Sequence, residues 1–233
     1  GSATNGGGNM TEKNILRRYS MFLVGVLVCA TGIAFITRAG LGTSPVSSIP
    51  FVLSLITPPW LTMGITTFSF NMLFLILEAL LRKRFSLSQA LQIPATIFFS
   101  FCIDRAMAFI PTRYGGPWLD SSVYLVVGCF VMALGIALEV MADVIMLPAE
   151  AFVRALAQKF HREFGNVKVC FDSSLTVVAA ILALVAFHKL NGVREGTLIS
   201  ALVVGKLIGF YIQHMRKLKD LWLGVPEKHI EMP

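Results

Sequence analysis

The sequence predicts an all-α polytopic membrane protein, with six transmembrane helices arranged as two inverted repeats of three helices. Each repeat carries a short broken or interfacial helix after its first span. Three observations predict this fold class: an apolar composition, a duplicated segment and an asymmetric distribution of basic residues. Hydrophobic residues make up 55% of the 233 residues and charged residues 14%. This composition is too apolar for a soluble globule and indicates that the bilayer is the solvent.

The duplicated segments are 23–45, LVGVLVCATGIAFITRAGLGTSP, and 126–148, VVGCFVMALGIALEVMADVIMLP. Two unrelated apolar segments would share fewer positions, so we interpret the match as an internal repeat. Each copy is an apolar helix, then a break, then a proline that can start a new helix. Paired broken helices of this kind form the binding sites of many secondary transporters. The ungapped identities are Val24/Val127, Gly25/Gly128, Val28/Val131, Ala30/Ala133, Gly32/Gly135, Ile33/Ile136, Ala34/Ala137, Ala39/Ala142 and Pro45/Pro148.

The rest of the chain completes the predicted organisation. Residues 1–9, GSATNGGGN, are interpreted as an expression-tag scar. The first repeat covers 10–111, a linker covers 112–121, the second repeat covers 122–215, and 216–233 is a polar, mobile cytoplasmic tail. We expect spans near 19–37, 61–81, 90–110, 123–144, 169–187 and 195–215. The short helices that start at Pro45 and Pro148 are either re-entrant or lie on the membrane surface, and the sequence leaves both open.

Lysine and arginine concentrate in alternate connections between the spans. By the positive-inside rule, this asymmetry predicts a multi-pass membrane protein with both termini cytoplasmic. Each repeat has an odd number of spans, so the second repeat enters the membrane from the opposite side. The predicted inner residues are Lys13, Arg17, Arg18, Arg82, Lys83, Arg84, Arg154, Lys159, Arg162, Lys168, Arg216, Lys217 and Lys219, against Arg113, Lys189 and Arg194 outside.

Ionisable and polar residues at membrane depth are costly and therefore mark candidate sites. Asn71 and Asp172 occupy equivalent places in the two repeats and are expected to approach each other near the middle of the membrane. Helix N-termini at the two breaks offer free N–H groups for an anionic or carbonyl group. The predicted substrate-binding residues are Arg38, Ser44, Ser47, Asn71, Asp104, Glu150, Asp172 and Lys206.

For Asp172 a helical ion pair with Lys168 is the structural alternative to a binding role, and for Lys206 a buried ion pair is expected. Lys168 and Asp172 are four positions apart, which is the spacing of a helical ion pair. Lys206 lies about ten residues from either end of its span, so it needs a buried acidic partner. Asp104, Glu139 or Asp172 could serve as that partner, and the choice stays open.

Several functional classes find no support in the sequence. The chain has no Walker A, GxSxG or HExxH pattern, and its four histidines lack ligand spacing. Its four cysteines lie in apolar runs, where they are expected to be buried. We therefore predict no enzyme, no cofactor and no metal. Gly25, Gly32, Gly128 and Gly135, each pair seven residues apart, predict close packing of the first and fourth spans.

The stretch RAGLGTSP at 38–45 resembles a motif of the YczE/YyaS/YitT-like bacterial membrane proteins, with Gly40 in place of the usual asparagine. A span that starts Gly196-Thr197 and contains Gly205, and the pair Ile103-Asp104, add to the resemblance. It covers most of the chain, from the first span to the sixth. It implies a six-span bacterial membrane protein and says little about the substrate.

The leading hypothesis is a transporter of a small polar or zwitterionic solute by alternating access, with Asp172 or Asp104 as carriers of a coupling proton. One alternative is the substrate-binding membrane subunit of an energy-coupling-factor-like transporter, because Ala30/Ala34 and Ala133/Ala137 match an AxxxA contact pattern. The other is a regulatory membrane protein that transports nothing. The expected partners are the lipid bilayer and a small-molecule solute but no nucleic acid, and a homodimer stays open.

Overall fold

The structure is a computed structural model that describes residues 6–112, 118–162 and 164–224. Within these ranges the chain forms nine α-helices and no strand. The pattern of one long helix, one short helix and two long helices occurs twice, and a last short helix follows. The helices are α1 (Gly6–Arg38), α2 (Pro45–Ile56), α3 (Met63–Arg82), α4 (Leu87–Phe109), α5 (Trp118–Ala142), α6 (Pro148–Lys159), α7 (Phe164–Phe187), α8 (Glu195–His214) and α9 (Arg216–Leu223).

Five of the described helices are long and apolar enough to cross a membrane: α1 from Asn14, α3, α5, α7 and α8. The chain is therefore a multi-pass membrane protein. Helix α4 corresponds to the remaining predicted span. It is 23 residues long, but it carries Gln89, Gln92, Asp104 and Arg105, which make it more polar than the other long helices.

Helices α1 and α5 cross at the centre of the fold, and their four repeated glycines lie at the crossing. A Cβ atom on Gly25 would lie 2.8 Å from the carbonyl oxygen of Gly135, and one on Gly128 would lie 3.0 Å from the carbonyl oxygen of Gly32. The two backbones approach too closely for any side chain at these positions. This confirms the prediction of close packing between the two spans.

The other helices surround this crossing. Helix α4 packs on α1, and α8 packs on α5. The short helix α2 packs against α7 and α3, and the short helix α6 packs against α3 and α7. Both short helices start at a buried proline and end at exposed residues, Ile56 in α2 and Lys159 in α6. Their first turns therefore lie inside the bundle.

The break after α1 is held to the start of α8 by backbone hydrogen bonds. The N–H of Thr43 donates to the carbonyl of Gly192 at 3.0 Å, and the N–H of Gly196 donates to that of Leu41 at 2.7 Å. Gly42 has φ +99°, and a Cβ there would lie 2.5 Å from Thr197 Oγ1. This part of the RAGLGTSP stretch therefore requires glycine for both conformation and space.

The predicted ends of the chain fall partly within the described ranges. Residues 1–5 of the predicted scar and 113–117 of the predicted linker lie outside the described residues. The tail that we expected to be mobile after residue 215 instead starts with α9, whose Leu223 is buried. Arg17 donates to the carbonyl of Trp222 at 3.1 Å, so α9 is tied to α1.

Candidate functional site

Four charged side chains, carried by α5, α6 and α7, are buried inside the bundle, and we call them the charged cluster: Glu139, Glu150, Lys168 and Asp172. Their exposed fractions are 2%, 7%, 5% and 6%. Charged side chains are seldom buried this completely unless they are paired. The charged cluster is therefore the first candidate for a functional site.

The charged cluster contains three carboxyl groups and one ammonium group. Lys168 Nζ lies 3.4 Å from Asp172 Oδ2, which confirms the predicted helical ion pair. Glu150 and Glu139 are within electrostatic range of Lys168, but neither belongs to an ion pair among the described residues. An excess of buried carboxyl groups requires compensation by protons or by a bound cationic group. The charged cluster thus has the chemistry to bind a proton or an amino group.

Asn71 joins the N-terminus of α6 to α3. Its Oδ1 accepts a hydrogen bond from the N–H of Ala149 at 3.3 Å, and its Nδ2 donates to the carbonyl of Thr67 at 2.9 Å. Asn71 thereby satisfies one of the free N–H groups of the first turn of α6. Glu150 is the next residue of that turn, so Asn71 and the charged cluster belong to one site.

The first repeat carries neutral residues at the positions that correspond to three of the charged side chains. In the register of the duplication, Ser47 corresponds to Glu150. In the register of α3 and α7, Thr67 and Asn71 correspond to Lys168 and Asp172. All three neutral residues are buried, at 2% for Ser47, 3% for Thr67 and 2% for Asn71. The site therefore has one charged half and one hydrogen-bonding half.

Four phenylalanine rings, from α3, α6 and α7, pack beside these two halves. Phe74 is central: its ring centroid lies 4.8 Å from Phe70, 5.4 Å from Phe152 and 5.2 Å from Phe171. Val46 in the first turn of α2 packs against the same cluster. The aromatic cluster forms an apolar wall between the short helices.

A cavity of about 350 Å³ leads to Glu139 from the C-terminal end of α5. The Oε1 atom of Glu139 has no hydrogen-bond partner among the described residues. At the mouth of the cavity, Asp143 Oδ1 and Arg154 Nη1 lie 3.8 Å apart and both side chains are largely exposed. This cavity connects one end of the bundle with the charged cluster.

Asp104 and Arg38, two other predicted site residues, form structural contacts at the opposite end of the bundle, where α3 begins. Asp104 accepts hydrogen bonds from Thr62 Oγ1 at 2.8 Å and from the N–H of Gly64 at 2.9 Å. Arg38 donates to Thr112 Oγ1 and to the carbonyl of Met107. Asp104 thus caps α3, and Arg38 joins the ends of α1 and α4.

Replacing Asp104 with alanine is expected to lower the free energy of unfolding by about 1–2 kcal/mol, because the first turn of α3 loses both acceptors. D104N keeps one acceptor oxygen and should cost less. The measurement is thermal unfolding of the purified protein in detergent. D143N is the control, because Asp143 is exposed and asparagine tolerates its left-handed backbone at φ 49°, so this surface change should stay within about 0.5 kcal/mol. Equal effects of D104A and D143N would contradict the capping role.

The expected buried ion pair of Lys206 is wrong. Lys206 is exposed on the outer face of α8, and none of the ion pairs in the described ranges includes it. The residues of α8 that pack into the core are Val204 and Ile208. The position of Lys206 along the sequence correctly gives its depth in the span. The sequence does not give its orientation around the helix axis, and in the structure Lys206 faces away from the other helices.

Ser44 and Ser47 lie at the start of α2 as expected. Both are buried, at 0% and 2% exposure. Ser44 is the N-cap residue of α2, but its side chain makes no capping hydrogen bond. Its Oγ has no partner in the described part of the chain, so a hydroxyl group is free at the N-terminus of α2.

The model of a family of unknown function, DUF6198, matches residues 16–213. The chain belongs to this family. The matched residues run from α1 to α8 and include the charged cluster and Asn71. No curated protein and no solved structure matches the chain. The more specific YczE/YyaS/YitT-like resemblance of this DUF6198 protein stays a prediction.

Sequence reasoning for this DUF6198 protein did not place Glu139 and Lys168 in the predicted binding set. From the sequence, Glu139 is a possible partner of Lys206, and Lys168 is a cytoplasmic-side cation four residues from Asp172. The missed signal is the register of the repeat, which aligns Lys168 with the buried Thr67. One cysteine also differs from expectation: Cys29, Cys102 and Cys129 are buried, whereas Cys170 is exposed.

Proposed function

We propose that this protein is a secondary transporter of a small polar or zwitterionic solute that works by alternating access and is coupled to protons. The observation that supports the proposal is the charged cluster. It is buried inside a bundle of membrane helices and includes Glu150 in the first turn of the short helix α6. A structural role alone would not need three carboxyl groups around one lysine, because buried charges are costly in a membrane protein.

The architecture that we infer has six spans, with α4 as the sixth, in two inverted repeats. The packing supports it: α1 contacts α4 as α5 contacts α8, and α2 contacts α7 as α6 contacts α3. Exchange of the two halves therefore preserves the main helix contacts. We further infer a bacterial plasma membrane location with both termini cytoplasmic, on the strength of the basic residues near Arg17, Arg82, Arg154 and Arg216.

In this proposal the charged half of the site binds both the amino group and the carboxylate of a zwitterion. The amino group of the solute would interact with the carboxyl groups of Glu150 and Asp172. Its carboxylate would interact with Lys168 and with the N-terminus of α2, where Ser44 Oγ is free. Asp172 would carry the coupling proton, and the cavity that reaches Glu139 would connect the site to the cytoplasm.

The decisive experiment is uptake into liposomes that contain only the purified chain. An internal pH dye reports proton movement when single amino acids and betaines are added outside. At least one solute should move protons inward faster than in empty liposomes. If the whole panel produces no flux, yet one solute still raises the unfolding temperature, the transporter proposal fails and a binding subunit is favoured.

D172N is expected to abolish proton-coupled flux while the protein still folds, because asparagine keeps the size of the side chain and an oxygen that can accept the hydrogen bond from Lys168 Nζ. The measurement is the pH dependence of uptake in the same liposomes. E195Q is the matched control, since Glu195 is an exposed acid that pairs with Arg194. Unchanged pH dependence in D172N would assign the coupling proton to another residue.

The alternative of a binding subunit has lost its sequence argument. Ala30, Ala34, Ala133 and Ala137 have exposed fractions of 0%, so the AxxxA patterns are used inside the chain and offer no surface to an ATPase module. A regulatory protein that transports nothing would show no flux in the same assay, whether or not it binds a solute.

A further inference from the structure

A second polar cavity, of about 260 Å³, opens at the end of the bundle where α3 ends and α4 begins. Helices α3, α4 and α6 line it. Glu78 is seven residues beyond Asn71 on α3, which corresponds to about 10 Å along the helix. Its polar side chains on α3 and α4 therefore lie away from Asn71, while Val144, Ile145, Met146 and Arg154 line both this cavity and the one that reaches Glu139.

Two buried glutamines line this cavity and each has an unpaired atom. Gln89 is 1% exposed and Gln92 is 3% exposed. Gln89 Oε1 accepts from the N–H of Ser86 at 2.8 Å, and Gln92 Nε2 donates to Glu78 Oε2 at 3.3 Å. Gln89 Nε2 and Gln92 Oε1 have no hydrogen-bond partner in the described ranges. An unpaired buried polar atom lowers stability by about 1–3 kcal/mol. A ligand that accepts from Gln89 Nε2 and donates to Gln92 Oε1 would remove this cost.

The charges that line the cavity favour an anion. Glu78 is paired with Arg82 at 2.9 Å. Arg84 takes part in none of the ion pairs seen among the described residues. Arg154 pairs with the exposed Asp143 at 3.8 Å, a pair of little strength in water, and its Nη1 also donates weakly to the Met146 sulfur at 3.7 Å. Arg84 and Arg154 therefore have N–H donors to spare, and arginine matches the oxygen atoms of phosphate well.

We propose that this cavity binds a phosphate group whose ligand also carries a hydroxyl, the chemistry of glycerol phosphate. The phosphate oxygens accept from Arg84, Arg154 and Gln89 Nε2, and the hydroxyl donates to Gln92 Oε1. The volume suits a headgroup-sized ligand. The source is either a free phosphate ester or the headgroup of an anionic lipid. An apolar hollow lined by Leu80 and Phe85, next to the same turn, could receive an acyl chain.

The test measures thermal unfolding of the full chain in uncharged detergent, with increasing amounts of two probes. The soluble probe is glycerol 3-phosphate, with glycerol as its control. The lipid probe is phosphatidylglycerol in mixed micelles, with phosphatidylcholine as its control. R154Q should raise the apparent Kd of the active probe by about tenfold or more, because it removes a charge-assisted hydrogen bond. Q92L removes a neutral hydrogen bond and should raise the Kd by about fivefold. K159Q is the matched control, because Lys159 is an exposed cation on α6 that does not line the cavity.

Each outcome decides the matter. Stabilisation by glycerol 3-phosphate supports a free phosphate ester, and stabilisation by phosphatidylglycerol alone supports a lipid headgroup. No stabilisation by either probe overturns the proposal, as does a response that R154Q and Q92L retain in full. The readout is binding and not flux, so this site stands or falls independently of the transport proposal.

Discussion

K168M is expected to lower the free energy of unfolding by about 3–5 kcal/mol, because removal of one partner leaves buried charges uncompensated. Lys168 is the only cation in the charged cluster, where it pairs with Asp172 at 3.4 Å and offsets an excess of carboxyl groups. Its loss forces these groups to take up protons or to draw water into the bundle. The expected observation is a large drop in the unfolding temperature of the purified protein in detergent, together with loss of solute flux.

Two further variants separate charge pairing from packing at Lys168. K206M removes a lysine from a span of similar length, but Lys206 is exposed, so this change should alter stability by less than about 0.5 kcal/mol. The double variant of K168M and D172L removes both members of the ion pair and should recover much of the loss. If K168M matches K206M in stability, the charged cluster is not formed in the folded protein.

G135L is expected to destabilise the fold by about 3 kcal/mol or more, through overpacking at the crossing of α1 and α5. A Cβ atom on Gly135 would overlap backbone atoms of Cys29 and lie 2.7 Å from the carbonyl oxygen of Gly25. Backbone atoms cannot move aside as a flexible side chain can. The two central helices would have to separate, and the yield of folded protein in detergent should fall accordingly.

G205L provides the matched comparison. Nothing lies within 4 Å of a Cβ atom built on Gly205, and leucine forms helices better than glycine does. The expected result is unchanged or slightly raised stability by the same unfolding assay. Equal damage from G135L and G205L would show that glycine is needed in these spans for reasons other than the α1–α5 contact.

Much of the fold follows from local patterns. Long apolar runs predict spans because a bilayer requires a helix of a certain length, and the prolines at 45 and 148 start α2 and α6 as expected. The glycines of the duplicated segment predict a close helix contact, and they lie at the crossing of α1 and α5. The predicted Lys168–Asp172 ion pair depends on helical spacing alone, so it too was predictable.

The candidate site was predictable only in part, because it depends on rotation about each helix axis. Asn71 and Glu150 were both chosen from the repeat and meet at the N-terminus of α6. Glu139 joins Glu150 and Lys168 only because α5 turns it inward. Lys206 was chosen for its depth, yet α8 turns it outward. An apolar sequence on all sides of a helix contains no signal for which face meets its neighbours.

The amino-acid sequence is therefore sufficient for α1 to α8, their order and the duplicated break, since these depend on hydrophobicity, proline and glycine at known spacings, whereas α9 was not predicted. Three features depend on how the nine described helices pack: the composition of the buried charged cluster, the cavity that reaches Glu139 and the polar cavity beside Gln92. Such packing brings together residues that are far apart in the chain. The hydrophobic pattern of one helix does not show which residues of another helix will contact it.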